Sequence, residues 1–354
     1  ASVGEYEQGK PIVQAIKKEF PNHKTLVTFF SPSGYNAYKA DGDLDFVFYL
    51  PIDSHRNARK FLTVVKPAVA IFVKYEFWYF YLLELARQDI PLLMVSTVFR
   101  SNQMFFHRMG RFYLNAIKAT HRFFVQDNES MALLNKHGIE QVEVSGDTRL
   151  DQMLQISSNS WRSHLLEEFS KESFVVICGS VWPSDWDYLK KIIRKFTDVK
   201  FIVAPHEIGE ESLKQYAMNG LKKWTDCQEG ELQETQVLLV DYIGDLKRMY
   251  RYGDVAYIGG AFRGAVHNVI EPAAYGLPVI IGSHPNNEKF NEVRDLQGLN
   301  GLITFRDTTQ LLGIFESIIA NEKMRREMGD SCKSYVSQHA GATEKVLARL
   351  KELI

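Results

Sequence analysis

Short runs rich in β-branched and aromatic residues alternate with amphipathic stretches along the whole chain, and this alternation limits the fold more than any other feature. TLVTFF, DFVFYL, AVAIFV, PLLMVST, RFFVQ and VEVSG follow one another in the first half, and FVVICG, VKFIVAP, VLLV, DVAYIGG, LPVIIG and GLITF in the second. Segments with helical period, such as SHRNARKFLTVV and WYFYLLELARQ, separate them. Parallel strands need a crossover of a dozen or more residues, usually a helix, so this rhythm predicts βα units and buried parallel sheets. Helices are expected over residues 103–120, 184–196 and 244–252. The fold class is α/β, with two Rossmann-like domains in tandem, each a doubly wound sheet.

The polar stretch QMLQISSNSWRSHLLEEFSKE interrupts the strand rhythm and places a linker at residues 156–172, between a first domain at 1–155 and a second at 173–340. The last segment, 341–354, reads as a helix whose Val346, Leu347, Leu350 and Ile354 share one face and cover a domain. The opening ASVGE reads as the end of a strand running into a helix, without initiator Met or signal peptide, which implies residues upstream.

Composition narrows the function. With 45% hydrophobic and 24% charged residues in 354, the chain can build ordinary cores. The 42 Lys and Arg against 43 Asp and Glu leave a net charge of -1 and no long basic run, so no nucleic acid is expected as a partner. Cys178, Cys227 and Cys332 are too far apart for a disulfide framework or a close-spaced zinc site, so no metal is expected. No apolar stretch reaches the ~20 residues that span a bilayer.

Ligands of open α/β sheets bind beyond the carboxyl ends of strands, so residues just after each strand are the candidates. In DVAYIGGAFRGAVHNVIEPAAYG a strand ends at Gly259 and Gly260, Gly264 follows, and His267, Asn268 and Glu271 lead into a helix. Such glycines admit a phosphate, and Glu271 could accept from a ribose diol; equally, Asn268 and Glu271 could form a capping box. The segment lacks G-x-G-x-x-G, which removes a dinucleotide reading. Gly179 and Ser180 end another strand, as a phosphate contact or an ordinary βα turn, and His206 ends a third. In the first half, Glu5 and Glu76 each lie at a strand-to-helix turn, where a carboxylate serves as general base or as a partner of the helix dipole. Phe105, Phe106, Arg108, Arg111 and Phe112 form either a lipid-facing patch or core.

Taken in order, ASVGE (1–5), FFSPSGY (29–35), VKYEFW (73–78), GDTRLD (146–151) and GGAFRGAVHNVIEPAAYG (259–276) resemble the Kdo (3-deoxy-D-manno-oct-2-ulosonic acid) transferases of lipopolysaccharide assembly, in the form found in Bacteroidetes-type bacteria. The resemblance covers nearly the whole chain. It implies a GT-B architecture with a cleft between the two domains, an acceptor-binding first domain and a CMP-sugar-binding second one. It implies inverting transfer from CMP-Kdo to a lipid A precursor (lipid IVA), without metal or further cofactor, on the cytoplasmic face of the inner membrane. An upstream hydrophobic anchor and first strand belong to the same pattern.

Carried over position by position, Glu5 matches the general base and Glu76 a second acid near the reaction centre. Gly259, Gly260, Gly264, His267, Asn268 and Glu271 match the CMP-binding element; Gly179, Ser180 and His206, taken from their places after strands, are added to the donor side, and Ser31, Ser33 and Gly34 are expected on the acceptor side. Two departures fall on the donor side: Pro205-His206 stands where many relatives have an Arg-His pair, and Trp182 where they have a His. A GT-B enzyme using a UDP-sugar, as transferase or epimerase, and a non-catalytic nucleotide-sugar-binding module remain open alternatives.

Overall fold

The computed structural model describes every residue except Glu229 and Ala265. Its strands are β1 (Leu26–Phe29), β2 (Phe46–Tyr49), β3 (Ala70–Val73), β4 (Leu92–Thr97), β5 (Arg122–Val125), β6 (Val142–Val144), β7 (Phe174–Val181), β8 (Val199–Pro205), β9 (Leu221–Lys223), β10 (Val237–Leu239), β11 (Val255–Ile258), β12 (Val279–Gly282) and β13 (Leu302–Phe305). All but β9 coincide with a run marked in the sequence. Leu221–Lys223 is too short and too basic to stand out, and its pairing with β10 makes it a strand.

The chain divides into two compact units, residues 1–152 with 339–354, and residues 153–338. Residues 156–172, read as a linker, instead end the helix Thr148–Ser158 and form the helix His164–Ser170, whose Leu166 and Phe169 are fully buried. Their polarity marks an outward helix face; the two apolar residues do the packing.

In the second unit seven parallel strands run in the order β13-β12-β11-β7-β8-β10-β9. Nearly every residue of β7, β8, β11 and β12 is buried, as both faces of a helix-covered parallel sheet require. Val176, Val203, Tyr257, Ile280 and Phe305 share a core with Trp186, Leu189 and Ile193 of the helix Pro183–Lys195. Chain order reverses between β7 and β11, with Gly179 in register with Ile258. That switch point is where a doubly wound sheet opens for a ligand.

The first unit departs from a single sheet. β3-β4-β5-β6 form one parallel sheet and β1-β2 another. Leu26 and Val27 of β1 and Ala70 and Phe72 of β3 face a cavity of about 780 Å³ instead of each other. Ala1 lies on β1 as in a parallel ladder, its amino group donating to the Thr28 carbonyl at 2.7 Å and its carbonyl accepting from Phe30 at 3.3 Å.

The helix expected over 103–120 is broken. Two 3-10 turns, Met104–Phe106 and Arg108–Gly110, precede an α-helix at Arg111–Ile117. Gly110 packs so closely on the Met104 carbonyl that a Cβ there would lie 2.1 Å from its oxygen, which excludes a continuous helix. The segment consequently splits its aromatics: Phe105 is buried, while Phe112 is exposed.

The last helix, Ala342–Leu353, buries Val346 and Leu350 against Ile12, Leu93, Val95 and Phe124 of the first unit. Its first turn is tied by Asp151, which accepts from the N–H of Gly341 at 2.5 Å and of Thr343 at 2.7 Å. GDTRLD is thus a packing knot. Gly146 turns against the His339 carbonyl, where a Cβ would stand 2.7 Å away, and Thr148 donates to the Gln8 carbonyl at 2.6 Å. Replacing Asp151 by Ala leaves two helix-terminal donors without their acceptor. The expected loss is about 1–2 kcal/mol in urea unfolding, the usual cost of a lost cap.

Candidate functional site

The donor-side residues of the second unit meet at the β7/β11 switch. β7 turns through Ser180, a non-glycine residue in left-handed conformation (φ 52), where its register with β8 breaks. β11 ends in Gly259, whose N–H donates to the Gly179 carbonyl at 2.9 Å. A Cβ at Gly259 would come within 2.5 Å of the Ser180 carbonyl and 2.8 Å of the Asp185 carboxylate, so only glycine fits between these turns.

Asp185 joins them. It occupies the first turn of the helix Pro183–Lys195 with no exposed surface, and one oxygen accepts from the N–H of Trp182 and of Gly260, both at 3.0 Å. The other accepts from the Tyr257 hydroxyl at 2.9 Å. Burial pushes its pKa up, and the three donors pull the other way. One carboxylate therefore fixes the spacing between the end of β7 and the end of β11.

Aromatic and imidazole rings stack beside this knot. Trp182 lies on His206 at 4.1 Å between centroids and 23° between planes, and the Arg263 guanidinium lies 4.0 Å from the Trp182 ring centroid. The Trp182 indole N–H donates to Nε2 of His267 at 3.1 Å. Indole nitrogen can only donate, so neutral His267 carries its proton on Nδ1. Burial, with His206 nearby, lowers the His267 pKa to about 4. Burial lowers His206 as well, against the pull of Glu207, with Arg263 adding to the effect. Both imidazoles are neutral at physiological pH.

Asn268 and Glu271 do not form the capping box: Val269 is the cap residue, without a side-chain cap bond, and Glu271 is the second helical residue. The Asn268 carbonyl accepts from the Ile270 N–H at 3.0 Å and its amide donates to Glu271 at 3.2 Å, while the helix itself is only Ile270–Ala274. Gly260 and Gly264 take left-handed conformations (φ 86 and 76) at the two ends of the turn Ala261–Arg263.

In the first unit Glu5 and Glu76 come together. Both line the cavity beside β1 and β3, and Glu76 lies 3.6 Å from the Ala1 amino group. Glu5 closes a capping box with Ser2, accepting from its backbone N–H at 2.6 Å and from its hydroxyl. Glu76 accepts from the Trp78 indole N–H. Ser31 caps the helix Pro32–Tyr38 and lies 3.0 Å from the Ser33 hydroxyl. Gly34 is buried where a Cβ would stand 2.5 Å from the Phe29 ring, so its smallness serves packing.

The sequence reading missed Asp185, Tyr257 and Arg263. An acidic residue three after Trp182 and two after Pro183 is a helix-start signal that could have flagged Asp185. Arg263 sat in plain view inside GGAFRGAVHN.

Two parallel Rossmann-like units of this kind define the GT-B class of glycosyltransferase fold. Solved structures agree: a UDP-GlcNAc 2-epimerase from Neisseria meningitidis matches 99% of the chain and 98% of its own at TM-score 0.67 and 13% identity. MurG from Acinetobacter baumannii matches 99% and 96% at TM-score 0.59 and 12% identity. At such identities the likeness speaks for the fold alone.

Residues 1–152 match the family model described as 3-Deoxy-D-manno-octulosonic-acid transferase (kdotransferase). Proteins named 3-deoxy-D-manno-octulosonic acid transferase match nearly the whole chain. That of Haemophilus influenzae is 25% identical over 99% of this chain and 85% of its own, and that of Chlamydia muridarum 26% identical over 100% and 85%. That of Aquifex aeolicus is 26% identical over 93% and 89%. The chain is thus similar over nearly its whole length to proteins named 3-deoxy-D-manno-octulosonic acid transferase, and its first 152 residues match that family's model.

The half-buried imidazole gives a pH signature. His267 resists protonation in the folded chain, so the unfolded chain takes up that proton first. The stability it secures is complete above about pH 6.5 and is lost as pH falls from 6.5 toward 4. Thermal unfolding between pH 7 and pH 4 is expected to show a steeper fall in melting temperature for the intact protein than for His267→Gln.

Proposed function

We propose that this chain transfers Kdo from CMP-Kdo to a lipid A precursor, lipid IVA, with inversion at the anomeric carbon, release of CMP and no metal ion or further cofactor. The observation that carries the reading is the meeting of Glu5 and Glu76. Distant in sequence, they lie at one cavity wall in a unit that matches the family over its length.

In this reaction an acceptor sugar hydroxyl attacks C2 of Kdo. The bond between C2 and the phosphate oxygen breaks, and its electron pair leaves on CMP. Glu5 receives the hydroxyl proton, and Glu76 adds negative charge beside the electron-poor anomeric centre. Ser31 and Ser33 offer hydroxyls to the acceptor sugar. On the donor side, the nucleotide phosphate settles beside the Gly179–Ser180 and Gly259–Gly260 turns, with His206, His267, Asn268 and Glu271 around them, and Gly264 closes the loop.

The acceptor is a lipid, and a membrane surface is the second partner in this reading. Among the described residues no helix is long and apolar enough to cross a membrane. Met104, Met109 and Phe112 are exposed, Met109 by 90%, beside exposed Arg108 and Arg111. Apolar tips among cations suit the surface of an anionic bilayer, here the cytoplasmic face of the inner membrane.

The test is transfer of labelled Kdo from CMP-Kdo to tetra-acylated lipid A precursor in detergent or vesicles. The intact protein is expected to form product in the presence of EDTA. Glu5→Gln should lower kcat about 10²- to 10⁴-fold with CMP-Kdo binding kept, the range of a lost general base. No product from the intact protein overturns the reaction; an active Glu5→Gln removes that residue from its role.

A further inference from the structure

We propose that Arg263 is the cation that holds the phosphate of the donor nucleotide, presented to it by Trp182. This rests on the nucleotide-sugar reading of the second unit and assigns a residue that the motif comparison left aside.

Arg263 ends the short turn Ala261–Arg263, which projects from the end of β11 between the left-handed Gly260 and Gly264. Gly260 is itself anchored, its N–H donating to buried Asp185. The turn therefore starts from a fixed point, and the arginine side chain leaves it toward the ring stack. Its guanidinium carbon lies over Trp182, 4.0 Å from the ring centroid. Trp182 cannot swing away: His206 covers it at 4.1 Å, and its indole N–H is held by His267.

Stacking uses the face of a guanidinium and leaves its N–H edge free, the geometry in which arginine takes an oxyanion with two parallel hydrogen bonds. Arg263 is exposed, and among the described residues no carboxylate lies within ion-pair distance of it. Asp185, the nearest structural acid of the knot, already accepts from three donors.

Charge decides which member of the cluster does this work. His206 and His267 are both held neutral. Asn268 is uncharged, and Glu271 is an acid hydrogen-bonded to it. A phosphate settling against the Gly179–Ser180 and Gly259–Gly260 turns therefore finds its positive charge on Arg263.

Isothermal titration of the full-length protein with CMP-Kdo, CMP and cytidine tests this. Arg263→Ala should weaken CMP-Kdo and CMP alike by about ten- to hundredfold, the range for a hydrogen bond to a charged group, and leave cytidine unchanged. Arg263→Lys should recover part of the loss, and Trp182→Leu should imitate Arg263→Ala while Arg263 is present. The residue is exposed, so an unchanged melting temperature is expected for Arg263→Ala. Unchanged CMP affinity overturns the assignment, as does a loss confined to CMP-Kdo, which moves the contact to the sugar carboxylate. If the intact protein prefers UMP to CMP with the same dependence on Arg263, the Kdo reading falls and the phosphate contact stands.

Discussion

The hydrogen bonds between Asp151 and the start of the last helix hold together a unit that the chain builds from its two ends. The chain leaves the first unit after residue 152 and returns to it at 339. A returning helix must satisfy its first N–H groups, and Asp151, at the departure point, accepts two of them. The same short motif supplies Thr148 to the first helix and to Ser96 of β4, and Asp147 to Arg149 and Gln126. Departure and return are thereby pinned at one place, and the apolar face of Ala342–Leu353 is delivered to the sheet.

That knot also shows where sequence reading reaches its limit. GDTRLD stood out as a family signature, and a signature of polar residues invites a catalytic role. In the fold Thr148 and Asp151 face backbone groups far away in sequence, a partnership that no local pattern encodes. By contrast the strands were legible because their signal is local: a parallel strand buried on both faces must be a continuous apolar run, and each such run became a strand. The exceptions have physical causes. β9 gains its place from β10 rather than from its own residues, and the segment over 103–120 folds back so that Gly110 packs on the Met104 carbonyl instead of continuing a helix.

The candidate site was half legible for a related reason. Glycines and short polar residues after strands are visible in a sequence, and Gly179, Ser180, Gly259 and Gly260 do converge at the switch point. What holds them there is not visible. Asp185 sits on a helix, looks like any first-turn acid, and becomes distinctive only because the sheet order brings β11 beside β7, so that Gly260 and Tyr257 reach it. Gly34 illustrates the converse, a residue read as acceptor-binding whose constraint in the fold is the Phe29 ring.

Electrostatics separates the two units more sharply than composition suggested. The first gathers carboxylates at its cavity wall, Glu5 and Glu76, each with its oxygens engaged by nearby N–H or O–H groups that keep a charged acid oriented. The second gathers neutral rings. A half-buried imidazolium would be a costly charge to keep, whereas the exposed Arg263 guanidinium beside the indole keeps its charge hydrated. The charge of this cluster thus sits on an exposed side chain, and the neutral rings beside it set its position.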